Sequence, residues 1–465
     1  MKKAEGKIEM EKNMTTGSPV KMILSFTLPI FIGNVFQQFY NMADTMIVGK
    51  YVGTKALAAV GSTGTVTFLI WGLVMGAAAG FTVLTSQRFG AGDMEGMRKS
   101  VGSAAVLSLV FGAAITLVSM LSMKPLLIFM NTPEDIFDGA YTYILIFCGG
   151  ILAQMLYNFL SCVLRALGNS RTPLFFLILA ALLNIGLDLL FIIKFHMGVA
   201  GAAWATVLSQ GVSGILCLIY IIKEVPVLHL KKDDWRVDAH LARMQIGIGL
   251  PMALQYSITA IGAMMMQSSL NLLGSMMVAA FTAASKIEQV VSQAYVALGT
   301  TMSTYCAQNT GAGDIERLRK GFRSASVLGF IYAVLSAAVL MTVGKYMTYL
   351  FVSENAAQLL DPVEIYLKCV SAFFIPLTIV NVFRYGLQGM GYGFLPMLAG
   401  VAELIGRGVV AVAAAERRSY PGVCMASPAA WVLAGALLLV MYFRIMRKYR
   451  TGTEVKKRKR VAAEK

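Results

Sequence analysis

Charged residues are scarce in this sequence. Only 14% of the 465 residues are Asp, Glu, Lys or Arg, whereas an average soluble domain carries about 25%. Hydrophobic residues make up 57% of the chain, and the mean hydropathy is +0.68. The chain has too few polar groups to cover a water-facing surface. This excludes intrinsic disorder and argues strongly against a soluble enzyme.

Histidines and paired cysteines are also few. The sequence has three histidines, all in or near predicted loops, and six cysteines that stand singly, without a CxxC pair. Most of the cysteines fall inside apolar runs, where they act as small hydrophobic residues. We therefore expect no histidine-based metal site in these runs and no bound cofactor. The runs contain no visible nucleophile–base pair either, so we expect a protein that is not an enzyme.

Basic residues outnumber acidic ones by 40 to 24, which gives a formal net charge of +16. Such an excess can indicate nucleic-acid binding. Here, however, the positive charges lie in short segments between long apolar runs, as is typical of a multi-pass membrane protein whose loops face an anionic lipid surface. We expect the lipid bilayer, and no nucleic acid, to be a partner of this chain.

Twelve apolar runs are long enough to cross a membrane, because a bilayer core of about 30 Å requires roughly 20 apolar helical residues. The first six lie near 22–46, 56–83, 101–123, 139–161, 174–194 and 199–222. The second six lie near 245–269, 276–303, 323–345, 365–387, 394–414 and 428–446. We predict an all-α polytopic membrane protein with 12 transmembrane helices in two six-helix bundles.

A polar stretch separates the two sets of runs. The predicted division is a tail at 1–21, an N-lobe at 22–222, a linker at 223–243, a C-lobe at 244–446 and a basic tail at 447–465. If the N-terminus is inside, thirty of the 40 basic residues, Arg384 among them, fall in inner segments and eight in outer ones. Because basic loops remain inside, we expect a cell-membrane protein with both termini and the linker in the cytoplasm.

The two halves are copies of each other. Residues 87–99 recur as 308–320 with eight identities in thirteen positions, and Pro29 matches Pro251. The offsets stay between 221 and 223 residues over a whole half. Since each half has an even number of spans, both insert with the same polarity, and the pseudo-twofold axis runs along the membrane normal. Pro29 and Pro251 each interrupt the first helix of a half and are candidate hinges, although a static kink is at least as good an interpretation.

A Gly-Ala-Gly-Asp loop occurs once in each half and ends at Asp93 and Asp314. Such loops can hold phosphate, but a turn followed by a helix cap is the better interpretation. The two aspartates are suited to cap a short basic amphipathic helix on the cytoplasmic face, with the glycines forming the turn.

Polar residues form a stripe in the first span: Asn34, Gln37, Tyr40, Asn41 and Asp44 follow at helical spacing. Asn184 and Asp188 share a face of the fifth span, and Thr206 lies in the sixth. At 1.5 Å per residue, Asp44, Asp188 and Thr206 reach the outer half of the first bundle. Burying such groups in lipid is costly, so we expect these side chains to meet and the two carboxylates to exchange a proton or Na+ for a cationic substrate. The alternatives are an interfacial position for Asp44 and a structural hydrogen bond between Asp188 and Asn184.

The second half does not repeat these acids. At the repeat offset Asp44 corresponds to Met266, and Asp188 corresponds to about Ala411. The seventh span instead offers candidate residues for a substrate cavity, which we predict to comprise Gln37, Tyr40, Asn41, Gln255, Tyr256, Thr259 and Met266. For Met266, packing against neighbouring side chains is about as good an interpretation as a place in the cavity. Glu403 and Arg407, four apart, predict a structural ion pair, and the roles of Lys286 and Glu288 stay open.

The chain resembles the multidrug and toxic compound extrusion (MATE) transporters along nearly its whole length. The motifs that carry the resemblance are Leu28-Pro29, 41–45, the two Gly-Ala-Gly-Asp loops, 165–173, 184–188 and 280–288. The resemblance implies a V-shaped, two-bundle fold and antiport of organic cations against H+ or Na+. It places Asp44, Asn184, Asp188 and Thr206 in the N-lobe cation site, with Gln37 and Tyr40 beside it.

One departure from the family pattern concerns the C-lobe. Members that couple through this lobe carry a glutamate in the seventh span, where this sequence has Thr259. The N-lobe site is therefore favoured, and we expect a monomer that exports small organic cations. The alternative is a flippase of lipid-linked saccharides from the same superfamily, although the acidic candidate cavity speaks against it. A major facilitator transporter is less favoured, because the full Asp-Arg-x-Gly-Arg loop pattern is missing.

Overall fold

A computed structural model describes residues 13–130, 132–350 and 356–450. In these ranges the chain is helical and has no β-strand. The predicted tails at 1–21 and 447–465 lie partly outside the described residues. The first half of the chain forms α1 (Pro19–Tyr51), α2 (Thr54–Phe81), α3 (Val83–Gly90), α4 (Met94–Phe129), α5 (Glu134–Gly149), α6 (Ile151–Ala166), α7 (Arg171–Leu189) and α8 (Gly198–Glu224).

The second half repeats this order. Its helices are α9 (Ala239–Asn271), α10 (Ser275–Gly311), α11 (Ile315–Val343), α12 (Ala356–Ser371), α13 (Phe374–Gly389), α14 (Phe394–Glu416), α15 (Tyr420–Cys424) and α16 (Ala426–Arg450). A π-helix at Leu190–Lys194 extends α7. Short 3₁₀ turns lie at Pro226–Leu228, Lys232–Trp235 and Gly344–Leu350.

Among the described residues, nine helical segments are long and apolar enough to cross a membrane. Two further spans are bent pairs, α5 with α6 at 46° and α12 with α13 at 49°. The remaining long helix, α10, has 37 residues and carries Lys286 and Glu288. Together these elements account for the twelve predicted spans, and the prediction of an all-α multi-pass membrane protein is confirmed.

The chain divides into two compact units. Among the described residues, the first contains 13–16 and 24–260, and the second contains 17–23, 261–350 and 356–450. The division therefore falls inside α1 and α9, which are 33 residues long each. Both helices continue through their internal prolines, Pro29 and Pro251. A hinge at either proline, and the predicted lobe boundaries, stay predictions.

Glycines allow α2 to approach α9 closely inside the first unit. A Cβ placed on Gly80 would lie 2.3 Å from the Cα of Gly249, and one on Gly76 would lie 2.6 Å from the Cα of Ala253. Small residues at such positions let two membrane helices pack backbone against backbone. The crossing explains why residues 239–260, which follow the linker, belong to the first unit.

The linker also packs on the first unit. Asp234 is only 3% exposed, and its Oδ2 lies 3.5 Å from Nε of Arg98 on α4. Its backbone oxygen approaches Gly102 so closely that a Cβ there would be 2.1 Å away. The segment is therefore held against the start of α4.

Aromatic rings contribute to the interior of the second unit. Phe322 of α11, Phe383 of α13 and Tyr442 of α16 form a mutual cluster with ring centroids 4.7 to 5.1 Å apart. Such pairs stabilise a structure by about 0.5–1.5 kcal/mol beyond the area that they bury. The cluster ties three helices of this unit together.

The two Gly-Ala-Gly-Asp loops end in helix caps, as predicted. Oδ1 of Asp93 accepts a hydrogen bond from the Gly96 N–H at 2.8 Å, and Oδ1 of Asp314 accepts one from the Arg317 N–H at 2.8 Å. The preceding glycines have φ near +74° and +73°, a conformation that other residues rarely adopt. The prediction of a short capped helix is wrong, because α4 and α11 have 36 and 29 residues. The caps therefore begin the membrane spans themselves.

Candidate cation-binding site

Helix α7 presents the two central polar side chains of the site. Its start is held by Asn169, whose Oδ1 accepts a hydrogen bond from the Thr172 N–H at 3.0 Å. Asn184 and Asp188 are one helical turn apart and are 1% and 0% exposed. The π-helix begins two residues after Asp188, and such widened turns occur frequently at functional sites.

Asn184 links Asp188 to α8. With its amide oriented to satisfy its neighbours, its Nδ2 donates to Oδ2 of Asp188 at 3.3 Å and its oxygen accepts from the Thr206 N–H at 3.2 Å. The hydroxyl of Thr206 donates to the backbone oxygen of Ala202 at 3.1 Å. The chain thus brings Asn184, Asp188 and Thr206 together in one hydrogen-bonded group.

Asp44 of α1 completes this group. Its half-buried carboxyl lies within hydrogen-bonding reach of the carboxyl of Asp188. Oδ1 of each aspartate is buried and has no hydrogen-bond partner among the described residues. Two adjacent carboxylates in an apolar surrounding repel each other, so the pair favours holding a proton or a cation between them.

The carboxyls of Asp44 and Asp188 are the groups of this site that can take up a proton or a monovalent cation. The amide of Asn184 donates to Asp188 and so favours its charged form. No group of three or more His, Cys, Asp or Glu side chains that could hold a metal ion occurs in the described part of the chain.

Two tyrosines adjoin the carboxyl pair. Tyr40 lies one turn before Asp44 on α1, and both it and Tyr143 of α5 interact electrostatically with both aspartates. Tyr143 is 8% exposed. The position of Tyr143 beside the carboxyls could not be predicted from the sequence, because this residue lies in an apolar run without a polar stripe.

The other predicted cavity residues are distributed over both units. In the first unit Gln37 is half-buried and Asn41 is exposed. Tyr256 covers Gly72 and packs edge-on against Trp71, with ring centroids 6.1 Å apart. Gln255 is 6% exposed.

Thr259 and Met266 lie further along α9. The hydroxyl of Thr259 donates to the backbone oxygen of Gln255 at 3.0 Å. Met266 belongs to the second unit, where its sulfur accepts from the hydroxyl of Ser427 at 3.7 Å. The predicted cavity residues therefore do not form one group in either unit.

The second unit contains a buried cluster of charges. Glu403 pairs with Arg407 at 2.8 Å, and also with Arg384 at 2.6 Å. Arg384, which the sequence places toward the cytoplasmic side, is 8% exposed near the end of α13. Its partner is on α14, 19 residues away, and local spacing gives no sign of such a pair.

The charges of α10 have a different environment. Lys286 is exposed, whereas Glu288 is half-buried and its Oε1 accepts from the hydroxyl of Ser292 at 2.5 Å. Glu288 also interacts electrostatically with Arg407, so it belongs to the neighbourhood of the buried cluster.

Comparison with known proteins identifies the family. The MatE family model matches residues 29–190 and 251–412, one match in each half. The chain is 35% identical to the probable multidrug resistance protein YpnP of Bacillus subtilis, over 83% of this chain and 86% of that protein. It is 26% identical to the probable multidrug resistance protein NorM of Thermotoga maritima, over 81% and 82%.

Solved structures show the same fold. A crystal structure of MATE in complex with MaL6 matches with a TM-score of 0.89 and 23% identity, over 94% of this chain and 99% of that one. An outward-facing multidrug resistance MATE family transporter matches with a TM-score of 0.88 and 23% identity, over 94% and 98%. The resemblance predicted from the motifs is thereby confirmed, and the chain belongs to the MatE family of transporters.

Proposed function

We propose that this protein is a secondary active antiporter that exports organic cations or drugs in exchange for H+ or Na+ by alternating access. The main observation that supports this proposal is the contact between Asp44 and Asp188, with Asn184 and Thr206 beside it. The names of the relatives, probable multidrug resistance proteins, agree with export of small foreign molecules.

The physical basis is competition for negative charge. An isolated carboxylate is expensive to bury, so it is neutralised by a proton or paired with a cation. When a proton or Na+ occupies the carboxyl pair, a cationic substrate loses its electrostatic partner. When the ion leaves, the pair attracts the substrate again, and this exchange couples the two flows.

We propose that the coupling ion, H+ or Na+, binds in the first unit. The repeat counterparts of Asp44 and Asp188 are Met266 and approximately Ala411, neither of which ionises. Thr259 occupies the place where C-lobe-coupled relatives are expected to have a glutamate. Ion binding in one unit must then act by changing the balance between conformations.

The proposed setting is the cell membrane, with both termini and the linker in the cytoplasm and the protein acting as a monomer. The distribution of basic residues supports this orientation.

The deciding experiment uses purified protein in proteoliposomes loaded with the cationic dye rhodamine 123. A proton gradient and a Na+ gradient are imposed separately, and dye movement is measured against an equal gradient of K+. Transport driven by H+ or by Na+ supports the proposal and identifies the coupling ion. Equal movement with every gradient, or gradient-independent transfer of labelled lipid instead of dye, contradicts it.

A further inference from the structure

The second unit contains a counterpart of the cation site with its charge reversed. At the offset of 223 residues that relates Pro173 to Pro396, Asn184 corresponds to Arg407. At the offset of 222 that relates Pro29 to Pro251, Tyr40 corresponds to Gly262. The repeat thus replaces the acids by neutral residues and the central amide by a guanidinium.

The structure brings these counterparts together. A Cβ on Gly262 of α9 would lie 3.0 Å from Nη1 of Arg407 on α14, so the absent side chain leaves room for the guanidinium. In the first unit the corresponding helices, α1 and α7, bring Asp44 to Asp188. In each half, therefore, the corresponding pair of helices packs around a buried charged side chain, Asp188 in the first and Arg407 in the second.

The charge of the cluster is unbalanced. Arg384, Glu403 and Arg407 are 8%, 8% and 7% exposed, and the two cations share one carboxylate. Nε of each arginine is buried without a hydrogen-bond partner among the described residues. A buried donor without an acceptor is costly, and a guanidinium matches the oxygens of a carboxylate or phosphate.

One internal group competes for the vacant donors. Glu288 of α10 interacts electrostatically with Arg407, yet its carboxyl is held by Ser292 at 2.5 Å. Tyr366 of α12 faces both charges. Among the described residues, Arg407 forms its ion pair with Glu403 and none with Glu288, so the arginine retains capacity for an external anion.

We propose that Arg407, with Arg384 and Glu403 positioning it, binds the anionic group of a small amphipathic substrate, a carboxylate or a phosphate. This inference rests on the proposed export function and narrows its substrate class. The carboxyl pair of the first unit binds positive charge, whereas the second unit accepts negative charge. Molecules that carry a carboxylate or a phosphate are therefore bound more tightly by the second unit than analogues that lack this group.

The test uses two dyes that differ at one group. Rhodamine 123 is a methyl ester, and rhodamine 110 has the free carboxylate on the same ring system. Binding of each dye to protein in phosphatidylcholine nanodiscs is measured by fluorescence polarisation. Arg407→Gln should weaken rhodamine 110 binding about tenfold, the effect of losing roughly 1.4 kcal/mol, and change rhodamine 123 binding less than twofold. Equal losses for both dyes, no loss for either, or no binding of rhodamine 110 to the wild type overturns the proposal.

A second variant covers the case in which Arg407→Gln does not fold. Glu288→Gln removes the internal competitor, so it should strengthen rhodamine 110 binding severalfold and leave rhodamine 123 unchanged. Unchanged or weaker rhodamine 110 binding overturns the proposal. Failure of the export function itself is seen separately, as loss of ion-driven rhodamine 123 transport in proteoliposomes.

Discussion

Replacing Asp188 by Asn is the sharpest test of ion coupling. Asp188 is fully buried and its carboxyl meets that of Asp44. Two charges about 4 Å apart repel each other by about 4 kcal/mol at an effective dielectric constant of 20. Since each 1.4 kcal/mol is a factor of ten, this repulsion favours the proton- or cation-bound pair by roughly a thousandfold.

The substitution keeps the shape of the side chain and removes the repulsion. We therefore expect Asp188→Asn to reduce ion-driven rhodamine 123 transport in proteoliposomes at least a hundredfold. The variant should still fold, because Asn can keep a hydrogen bond to Asn184. Folding is checked by size-exclusion chromatography and thermal unfolding.

A matched control is available on the surface. Asp135 pairs loosely with Lys55 at 3.7 Å and its side chain is 57% exposed. Asp135→Asn removes the same charge outside the site and should transport at the wild-type rate. Wild-type ion-driven transport by a folded Asp188→Asn protein would refute the coupling role of the pair.

Three further predictions concern pH, topology and the buried cluster. Because protons and cationic substrate compete, the affinity of the wild type for rhodamine 123 should rise between about pH 6 and pH 8. The affinity of Asp44→Asn should not depend on pH in this range. A wild-type affinity that is independent of pH at all Na+ concentrations contradicts this. Asp233→Cys, at a side chain that is 77% exposed, should resist an impermeant thiol reagent in intact cells and react in inverted vesicles, on a background without native cysteines. Glu403→Gln leaves two buried arginines without their anion and should destabilise the protein by about 3–5 kcal/mol, seen as a lower unfolding temperature, whereas Glu95→Gln on the surface should have little effect.

The grouping of the carboxyl pair with Asn184 could be predicted from the sequence because its signal is local. Asn184 and Asp188 share a helix face by spacing alone, and counting residues from Pro29 and Pro173 places Asp44 and Asp188 at similar depth. Tyr143 could not be found in this way. Its span shows no polar stripe, and its place beside the carboxyls depends on how α5 packs.

The fold class could be predicted for a similar reason. Apolar length and the internal repeat are properties of the sequence itself. The division of α9 between two units could not be predicted. It depends on the close contact of α9 with Gly76 and Gly80 of α2, and the sequence does not show which helix packs against these glycines. The third member of the charge cluster, Arg384, was missed because its partner is on another helix.

The contact between α2 and α9 permits one more prediction. A methyl group at Gly80 would lie 2.3 Å from the Cα of Gly249. Because the atom that it meets belongs to the backbone of α9 and cannot rotate away, the two helices must separate. Overpacking of this kind costs typically about 1–3 kcal/mol. Gly80→Ala should therefore lower the unfolding temperature by several degrees.

Gly64 provides the matched control for this prediction, because it lies on the same helix and nothing is within 4 Å of its Cβ position. Alanine is a better helix former than glycine, so Gly64→Ala should leave the unfolding temperature unchanged or raise it. Unfolding is followed by fluorescence-detected size-exclusion chromatography after heating. If Gly80→Ala is as stable as Gly64→Ala, α2 and α9 do not pack backbone against backbone, and the assignment of the start of α9 to the first unit is wrong.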